Sequence, residues 1–223
     1  MNYQFDYTAV TSHAWELFVG CLLTLQLSAA AIVFSLVLAI GPAMLLQSRP
    51  HSLAALPVKV FVEVVRNTPF LVQIFILFFG LPTIGIRLSP NVAAIVALTV
   101  NGCAYAIEII RGGLESINKG QFEAGFVLGL SRFQVFRYII LKPALRAIYP
   151  SLTSQFIFLM LTSSIASSIT ANELTHVAAQ IEATTFRSFE VYFTVAALYL
   201  AMSIILSAVA SVVYRTTLTY PTR

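Results

Sequence analysis

The side chains that could do chemistry in this chain do not form a catalytic set. Its histidines fall in three separate loops or termini: His13, His51 and His176. No cluster of His, Cys, Asp or Glu has metal-ligand spacing, and no Ser-His-acid set can be assembled. No G-x-x-x-x-G-K-[ST] loop follows a predicted strand, so the chain offers no ATP site. We therefore predict a non-catalytic protein that holds no metal and no cofactor of its own.

Two apolar segments carry polar side chains at helical spacing. In the first, three residues at spacings of four and three share a helix face: Asn101, Tyr105 and Glu108. In the second, a polar, an aromatic and a hydroxyl side chain occur at i, i+3 and i+7: Gln155, Phe158 and Thr162. Polar groups within a membrane usually face the bundle or a water-filled path, but small hydroxyl residues also allow close helix packing. Five residues are candidates for a substrate path, with packing as the alternative: Asn101, Tyr105, Gln155, Phe158 and Thr162.

The composition places these segments in a membrane. Hydrophobic residues make up 58% of the chain and charged residues only 10%, whereas a soluble domain carries about a quarter charged residues. A chain of 223 residues has room for about five spans of roughly 20 residues, with nothing left for a second folded domain. We therefore predict an all-α integral membrane protein with a single transmembrane domain over residues 1–223.

Apolar runs divide the chain into five predicted transmembrane helices, at 17–46, 57–79, 90–110, 150–170 and 191–214. Span two is interrupted at Pro69, whose missing N–H must be compensated by neighbouring helices or by Thr68. Pro69 is equally consistent with a packing kink and with a gate hinge. We expect span four to begin at Pro150, and we expect residues 171–190 to form an acidic loop before span five.

Two pairs of opposite charge occur at helical spacing. Glu63 and Arg66 are three residues apart near the start of span two, so they can pair on one helix face. Glu108 and Arg111 have the same spacing near the end of span three. We expect the second pair to be structural, since it lies too near the end of the helix to serve in mid-membrane.

The basic residues predict the orientation of the chain. Eleven of the thirteen lie between spans one and two or at the start of span two, between spans three and four, or after span five: Arg49, Lys59, Arg66, Arg111, Lys119, Arg132, Arg137, Lys142, Arg146, Arg215 and Arg223. The other two, Arg87 and Arg187, fall on the opposite face. Because cytoplasmic loops carry an excess of Lys and Arg, we predict an external N-terminus and a cytoplasmic C-terminus.

The connection between spans three and four is built as more than a linker. Residues 121–138 predict two short amphipathic helices that meet at Gly129. Ser131 and Gln134 have the spacing of a capping box, which starts the second helix. Pro143 is expected to break that helix before span four. The arrangement predicts a shaped, partly apolar docking element in the cytoplasm.

Three motifs, in order along the chain, resemble a known family. Glu123-Ala124-Gly125 followed by Gly129 resembles the EAA loop of permease subunits of binding-protein-dependent ABC importers. Residues 63–69 (EVVRNTP) and 105–113 (YAIEIIRGG) look like the polar amino-acid (His/Glu/Gln/Arg/opine) branch of that family. The resemblance runs from span one to span five, and it implies that residues 121–138 are an EAA-type coupling loop. Its candidate residues at the ATPase interface are Glu123, Ala124, Gly125, Gly129, Leu130 and Ser131.

The resemblance implies a multi-pass permease of the bacterial inner membrane that imports amino acids or related solutes. Its expected partners are a second permease subunit, identical or paralogous, two ATPase subunits that carry ATP and Mg, and an extracytoplasmic substrate-binding protein. Membrane lipid surrounds it, and nucleic acid is not an expected partner. The alternative is a secondary amino-acid transporter or channel subunit not driven by ATP. That class needs an ionisable group in mid-membrane, and spans one, four and five offer none.

The chain departs from the family pattern at three places. Gly125 replaces the usual second alanine, which would loosen the loop helix by about 1 kcal/mol at worst. Lys142 separates the usual Leu-Pro pair after the loop. Where the family commonly has Lys-Asp-Thr-Ser, residues 161–164 read Leu-Thr-Ser-Ser, and residues 150–170 hold no carboxylate. We therefore expect this subunit to contribute a neutral polar site, or no site if a paralogous partner holds the substrate. The expected substrate is a polar, uncharged amino acid such as glutamine, or an opine-like compound, in preference to Arg or Lys.

Overall fold

The computed structural model of the chain describes residues 3–218, and the regular structure in that range is all helical. In chain order the helices are α1 (Thr8–Ser12), α2 (Ala14–Ser48), α3 (Ala55–Arg66), α4 (Phe70–Ile84), α5 (Pro90–Glu115), α6 (Lys119–Val127), α7 (Arg132–Ile169), α8 (Leu174–Thr185) and α9 (Ser188–Leu218). Among these residues, four helices are long and apolar enough to cross a membrane, namely α2, α5, α7 and α9. The bent pair of α3 and α4 is a candidate fifth span, so the predicted all-α membrane class is confirmed.

Helix α5 lies at the centre of the bundle. Its buried face is rich in small residues: Ala93, Ala94, Ala97, Ala104 and Ala106. Helix α2 packs along it and buries small residues of its own: Ala31, Ser35, Ala39 and Ala43. Small side chains let helix backbones approach closely, which replaces the hydrophobic driving force that lipid does not provide. Among the four described helices that are long enough to cross a membrane, α5 has the largest buried share, so its polar residues are carried by a firmly packed helix.

The break in span two is sharper than a proline kink. Helices α3 and α4 meet at 109°, with Pro69 in extended conformation just before α4. The Thr68 hydroxyl donates to the carbonyl of Val64 at 2.9 Å, as the sequence suggests. Gln73 supplies most of the hydrogen bonds at the break. Its side-chain amide donates to the carbonyl of Val65 at 2.7 Å and to the carbonyl and hydroxyl of Thr68 at 3.1 and 2.9 Å. The carbonyls released at the break are thus satisfied locally.

The helix break predicted at Pro143 is wrong, and the helix that contains predicted span four starts before Pro150. Helix α7 is continuous from Arg132 to Ile169, and both prolines lie inside it. Residues Val135–Ile140 form a π-helical segment, and the α-helical part begins at Leu141. Pro143 therefore falls in the first turn of a new α-helical register, where a missing N–H is tolerated. The second of the two short helices predicted for residues 121–138 is the beginning of this 38-residue helix.

The acidic loop predicted at residues 171–190 is also wrong, because α8 occupies most of it. Glu173 is fully buried and caps the helix, accepting from two first-turn N–H groups at 2.6 and 2.9 Å. The same carboxylate accepts from the Tyr199 hydroxyl of α9 at 2.7 Å. The Leu174 N–H donates to the Thr24 hydroxyl of α2 at 3.0 Å. Glu173 therefore ties α8 to the bundle, and burial raises the pKa of this carboxyl group.

Candidate coupling loop and substrate path

Residues 121–138, which we call the coupling loop after the family motif that they resemble, begin within α6, and this helix ends in a tight, hydrogen-bonded turn. Gly129 adopts φ +76°, in the left-handed region that favours glycine. The Leu130 N–H donates to the Gly125 carbonyl at 3.2 Å, and the Gly129 N–H donates to the Phe126 carbonyl at 2.9 Å. These two bonds form a Schellman motif. The turn predicted at Gly129 is therefore present, and its geometry favours glycine.

The second half of the coupling loop begins with the predicted capping box. The Gln134 N–H donates to the Ser131 hydroxyl at 3.4 Å, and the Ser131 N–H donates to the Gln134 side-chain oxygen at 2.8 Å. Helix α7 starts at Arg132, directly after Ser131, so the capping box sets the direction in which this helix leaves the turn.

Gly125 fixes the two halves of the coupling loop against each other. It is buried, and a Cβ atom at this position would lie 2.8 Å from both Ile139 Cδ1 and Val135 Cγ2. The glycine thus allows α6 to pack directly on the first turns of α7. The departure from the usual alanine corresponds to close packing here, in contrast to the looser helix that the sequence suggests.

The outer surface of the coupling loop is polar at one place and apolar at another. Glu123 and Ala124 are exposed on α6. Large apolar side chains next to the turn are also exposed, including Val127 at 88% and Phe133 at 75%. Soluble surfaces rarely expose a contiguous patch of this kind unless another protein or lipid covers it. The coupling loop therefore combines a rigid corner with a surface suited to docking.

The predicted polar face of α5 meets the break in span two. The Asn101 side-chain amide donates to the Gln73 side-chain oxygen at 3.1 Å. One turn further along α5, the Tyr105 ring lies 5.2 Å from the Arg66 guanidinium carbon and 6.5 Å from the Phe158 ring. Asn101 and Tyr105 are therefore brought together with α3, α4 and α7, as a path between these helices requires.

Two candidate residues have unused hydrogen-bonding capacity in the interior. Asn101 and Gln155 are buried, and within residues 3–218 neither Asn101 Oδ1 nor Gln155 Nε2 has a hydrogen-bond partner. Leaving a buried polar group unpaired costs about 1–3 kcal/mol, so these atoms favour a polar ligand. Thr162 is buried and Phe158 is half-exposed. The serines that follow Thr162 donate instead to carbonyls of their own helix, three residues back: Ser163, Ser164, Ser167 and Ser168.

One predicted charge pair is present and the other is not. Arg111 donates to both oxygens of Glu108, at 2.9 and 3.2 Å. Arg66 lies 3.8 Å from Glu108 instead of pairing with Glu63, because the packing of α3 on α5 brings Glu108 within reach. The predicted pair of Glu63 and Arg66 is therefore wrong.

The sequence reasoning missed three polar residues that the structure places in important positions. Gln73 joins the break in span two to Asn101. Glu173 and Glu190 are both fully buried, and Glu190 accepts from the Tyr3 hydroxyl and from the Asp6 N–H, the latter at 2.9 Å. A lone polar residue in the apolar run 70–79 is the signal that could have identified Gln73. The two glutamates had no comparable signal, because they occur among other polar residues.

Gln73, Asn101 and Tyr105 form a polar line in the interior of the helical bundle. This polar line, together with the turn at Gly129 and its exposed apolar surface, defines a membrane-spanning transport subunit. A family model described as "Binding-protein-dependent transport system inner membrane component" matches residues 31–217. The glutamine transport system permease protein GlnP of Escherichia coli (strain K12) is 38% identical over 208 residues, which are 92% of this chain and 94% of GlnP. The octopine transport system permease protein OccM of Rhizobium radiobacter is 35% identical over 206 residues, which are 86% of this chain and 84% of OccM.

A solved structure agrees with these relatives. The crystal structure of an amino acid ABC transporter with histidines matches with a TM-score of 0.88 and 31% identity, over 96% of this chain and 99% of that one. The chain belongs to the family of binding-protein-dependent transport system inner membrane components. It is a permease subunit of an ABC importer, and the resemblance found in its three motifs is confirmed. This membership excludes the alternative of an ATP-independent secondary transporter or channel.

Proposed function

We propose that this chain imports a polar, uncharged amino acid or an opine-like solute, with glutamine as the favoured cargo. The observation that carries the proposal is the 38% identity to a glutamine permease over 92% of the chain. The relatives named for octopine and cystine transport widen the class to compounds built on an α-amino acid.

The orientation proposed is N-terminus outside and C-terminus in the cytoplasm, within the bacterial inner membrane. Its support is the distribution of basic residues, eleven of thirteen on one face. Arg223 is one of the eleven and lies outside the described residues. With this orientation the coupling loop lies in the cytoplasm and α8 lies at the outer surface.

The partners proposed are two ATPase subunits, a second permease and a substrate-binding protein. The ATPases, which carry ATP and Mg, bind the coupling loop at Glu123 and at the exposed apolar surface beside Gly129. The second permease is either identical or paralogous. The substrate-binding protein docks at the outer surface near α8 and delivers the cargo.

Helix α7 is the element that transmits motion in this mechanism. Because Gly125 packs α6 on Val135 and Ile139, a displacement of α6 by the ATPases moves the start of α7 with it. Because α7 is continuous from Arg132 to Ile169, the displacement reaches Gln155 and Thr162. Those residues then shift relative to Asn101 on α5, which changes access to the path between two states.

The proposed cargo fits the unpaired atoms along the path. Asn101 Oδ1 is an acceptor and Gln155 Nε2 is a donor, and a carboxamide side chain supplies one donor group and one acceptor. A cationic side chain would require a carboxylate, and residues 150–170 contain none. Tyr105 and Phe158, whose ring centroids are 6.5 Å apart, add aromatic surface to the proposed path.

A competition assay tests the cargo. The transporter is reconstituted with its ATPase and binding protein, and uptake of labelled L-glutamine is measured with unlabelled Gln, Glu, His, Arg or Lys in excess. We expect Gln to compete best. Asn101→Ala should weaken uptake, whereas Gln26→Ala, a change at an exposed position on α2, should not. Selective uptake of Arg or Lys through this subunit would refute the proposal.

A further inference from the structure

A cavity of about 450 Å³ lies between α3 and α5, beyond the polar line that contains Asn101. Its charged and polar lining residues are Lys59, Glu63, Arg66, Asn67, Tyr105 and Glu108. Glu108 is about 10 Å further along the axis of α5 than Asn101, at 1.5 Å per residue. Tyr105 contacts both regions, because it lines the cavity and faces Phe158. The cavity therefore adjoins the Asn101 region at Tyr105, but its lining includes neither Asn101 nor Gln155.

The charges on the α5 side of the cavity are already paired. Glu108 accepts two hydrogen bonds from Arg111, and Arg66 lies 3.8 Å from the same carboxylate. Arg66 is also held over the Tyr105 ring at 5.2 Å. A ligand in the cavity meets this wall as a fixed, nearly neutral surface.

The charges on the α3 side are different. Lys59 and Glu63 are one helical turn apart, both are exposed, and within residues 3–218 neither forms an ion pair. The cavity therefore presents one free cation and one free anion from the same helix, next to the Asn67 amide and the Tyr105 ring.

We propose that this cavity is a second binding site for a free α-amino acid, separate from the path at Asn101 and Gln155. The α-carboxylate pairs with Lys59, the α-ammonium pairs with Glu63, and the side chain lies against Tyr105. A free amino acid fits because it carries a cationic and an anionic group on the same carbon atom, whereas an inorganic ion carries one kind of charge and an internal peptide residue carries neither group. The inference rests on the proposed function, since the occupant belongs to the same chemical class as the cargo.

Occupation of the cavity has a consequence for transport. With the orientation proposed above, the ligand enters from the cytoplasm after import. A ligand that contacts both α3 and α5 stabilises the conformation in which these helices have their present separation. Accumulated product therefore slows further import.

Direct binding tests the site. The permease in complex with its ATPase, in lipid nanodiscs and without binding protein, is titrated with labelled L-glutamine by equilibrium dialysis. Asn101→Ala is present throughout, so that the path contributes little to the signal. Lys59→Met and Glu63→Gln should each weaken binding roughly fivefold, the upper range for exposed charge pairs. Arg87→Met, an exposed cation outside the cavity, should leave the affinity unchanged. Glutamine methyl ester and N-acetylglutamine, which each lack one charge, should compete poorly.

A charge exchange separates recognition from misfolding. The single changes Lys59→Glu and Glu63→Lys should each abolish binding, and the double change should recover part of it, because the cation and anion are then both present again. Equal affinity in the Lys59→Met, Glu63→Gln and Arg87→Met complexes would overturn the second site. The proposed function would still stand in that case if the complete wild-type transporter imports amino acids. Failure of the wild-type transporter to import any amino acid would instead overturn the proposed function.

Discussion

Replacing Gln73 by Leu tests whether one side chain holds the break in span two. The two N–H bonds of the Gln73 amide serve three acceptors, the carbonyl of Val65 and the carbonyl and hydroxyl of Thr68, and Gln73 also accepts from Asn101. The change therefore removes about three hydrogen bonds. Leu has a similar volume and belongs in an apolar segment, so packing changes little. The loss is therefore dominated by the carbonyls at the break and by the orientation of Asn101.

The magnitude follows from the setting of these bonds. Hydrogen bonds between membrane helices contribute about 0.6 kcal/mol each on average, so about three contribute about 2 kcal/mol. We use the average energy per bond because Gln73 is only half-buried and because the Thr68 hydroxyl, at 3.5 Å, still donates to the Val65 carbonyl in the variant. A loss of about 2 kcal/mol corresponds to a shift of about 4–8 °C in the midpoint of thermal denaturation for a chain of this size.

The assay compares Gln73→Leu with Gln26→Leu in the purified permease–ATPase complex. Gln26 lies exposed within α2, so its replacement makes the same chemical change on an exposed surface of the chain. Gln73→Leu should lower the denaturation midpoint and reduce glutamine uptake, and Gln26→Leu should do neither. Equal midpoints and equal uptake for the two variants would refute the role assigned to Gln73.

Three further predictions follow from the coupling loop, the orientation and the buried carboxylate. Glu123→Lys should leave the subunit in the membrane but uncouple ATP hydrolysis from uptake, whereas Glu16→Lys at the far end of the chain should not; normal uptake by the first variant contradicts the coupling role. A cysteine at Gln180 should react with an impermeant thiol reagent from outside and one at Lys119 should not, in a chain with Cys21 and Cys103 replaced by Ala; the reverse pattern would overturn the orientation. Burial raises the pKa of the Glu173 carboxyl group above its ordinary value, so the folded chain binds this proton more tightly than the unfolded chain. The contribution of protonated Glu173 to the free energy of unfolding therefore falls as pH rises through the raised pKa. Glu173→Gln should remove that decline from a thermal-stability profile against pH and Glu182→Gln should retain it; an unchanged profile for Glu173→Gln would show that this carboxyl does not titrate differently on folding.

Features set by local chemistry could be predicted from the sequence. The capping box at Ser131 and the turn at Gly129 depend on neighbouring residues alone, and both are present. The shared face of Asn101 and Tyr105 depends only on the helical repeat, and the structure places both residues toward the same group of helices. The family could also be recognised from the sequence, because its three motifs are local stretches in a fixed order.

Features set by packing between helices could not be predicted in this way. Arg66 has Glu63 within reach on its own helix but contacts Glu108, since the neighbouring helix decides which carboxylate is closer. Glu173 sits in a polar stretch, and only the arrangement of α2, α8 and α9 buries it. Pro143 is a reliable helix breaker in isolation, yet the π-helical segment before it lets α7 continue.

The continuity of α7 changes how the candidate sites relate to each other. Two short helices separated from span four by a break would leave the coupling loop as a flexible attachment, and motion of the loop would be absorbed at Pro143. A single helix that begins at the capping box of Ser131 and carries Gln155 and Thr162 cannot absorb it there. Helix α5, held by close packing against α2, provides the reference against which α7 moves. Helix α7 therefore lies beside the proposed ATPase at one end and beside the proposed cargo in its middle. Gly125 is the position at which α6 packs on the start of α7.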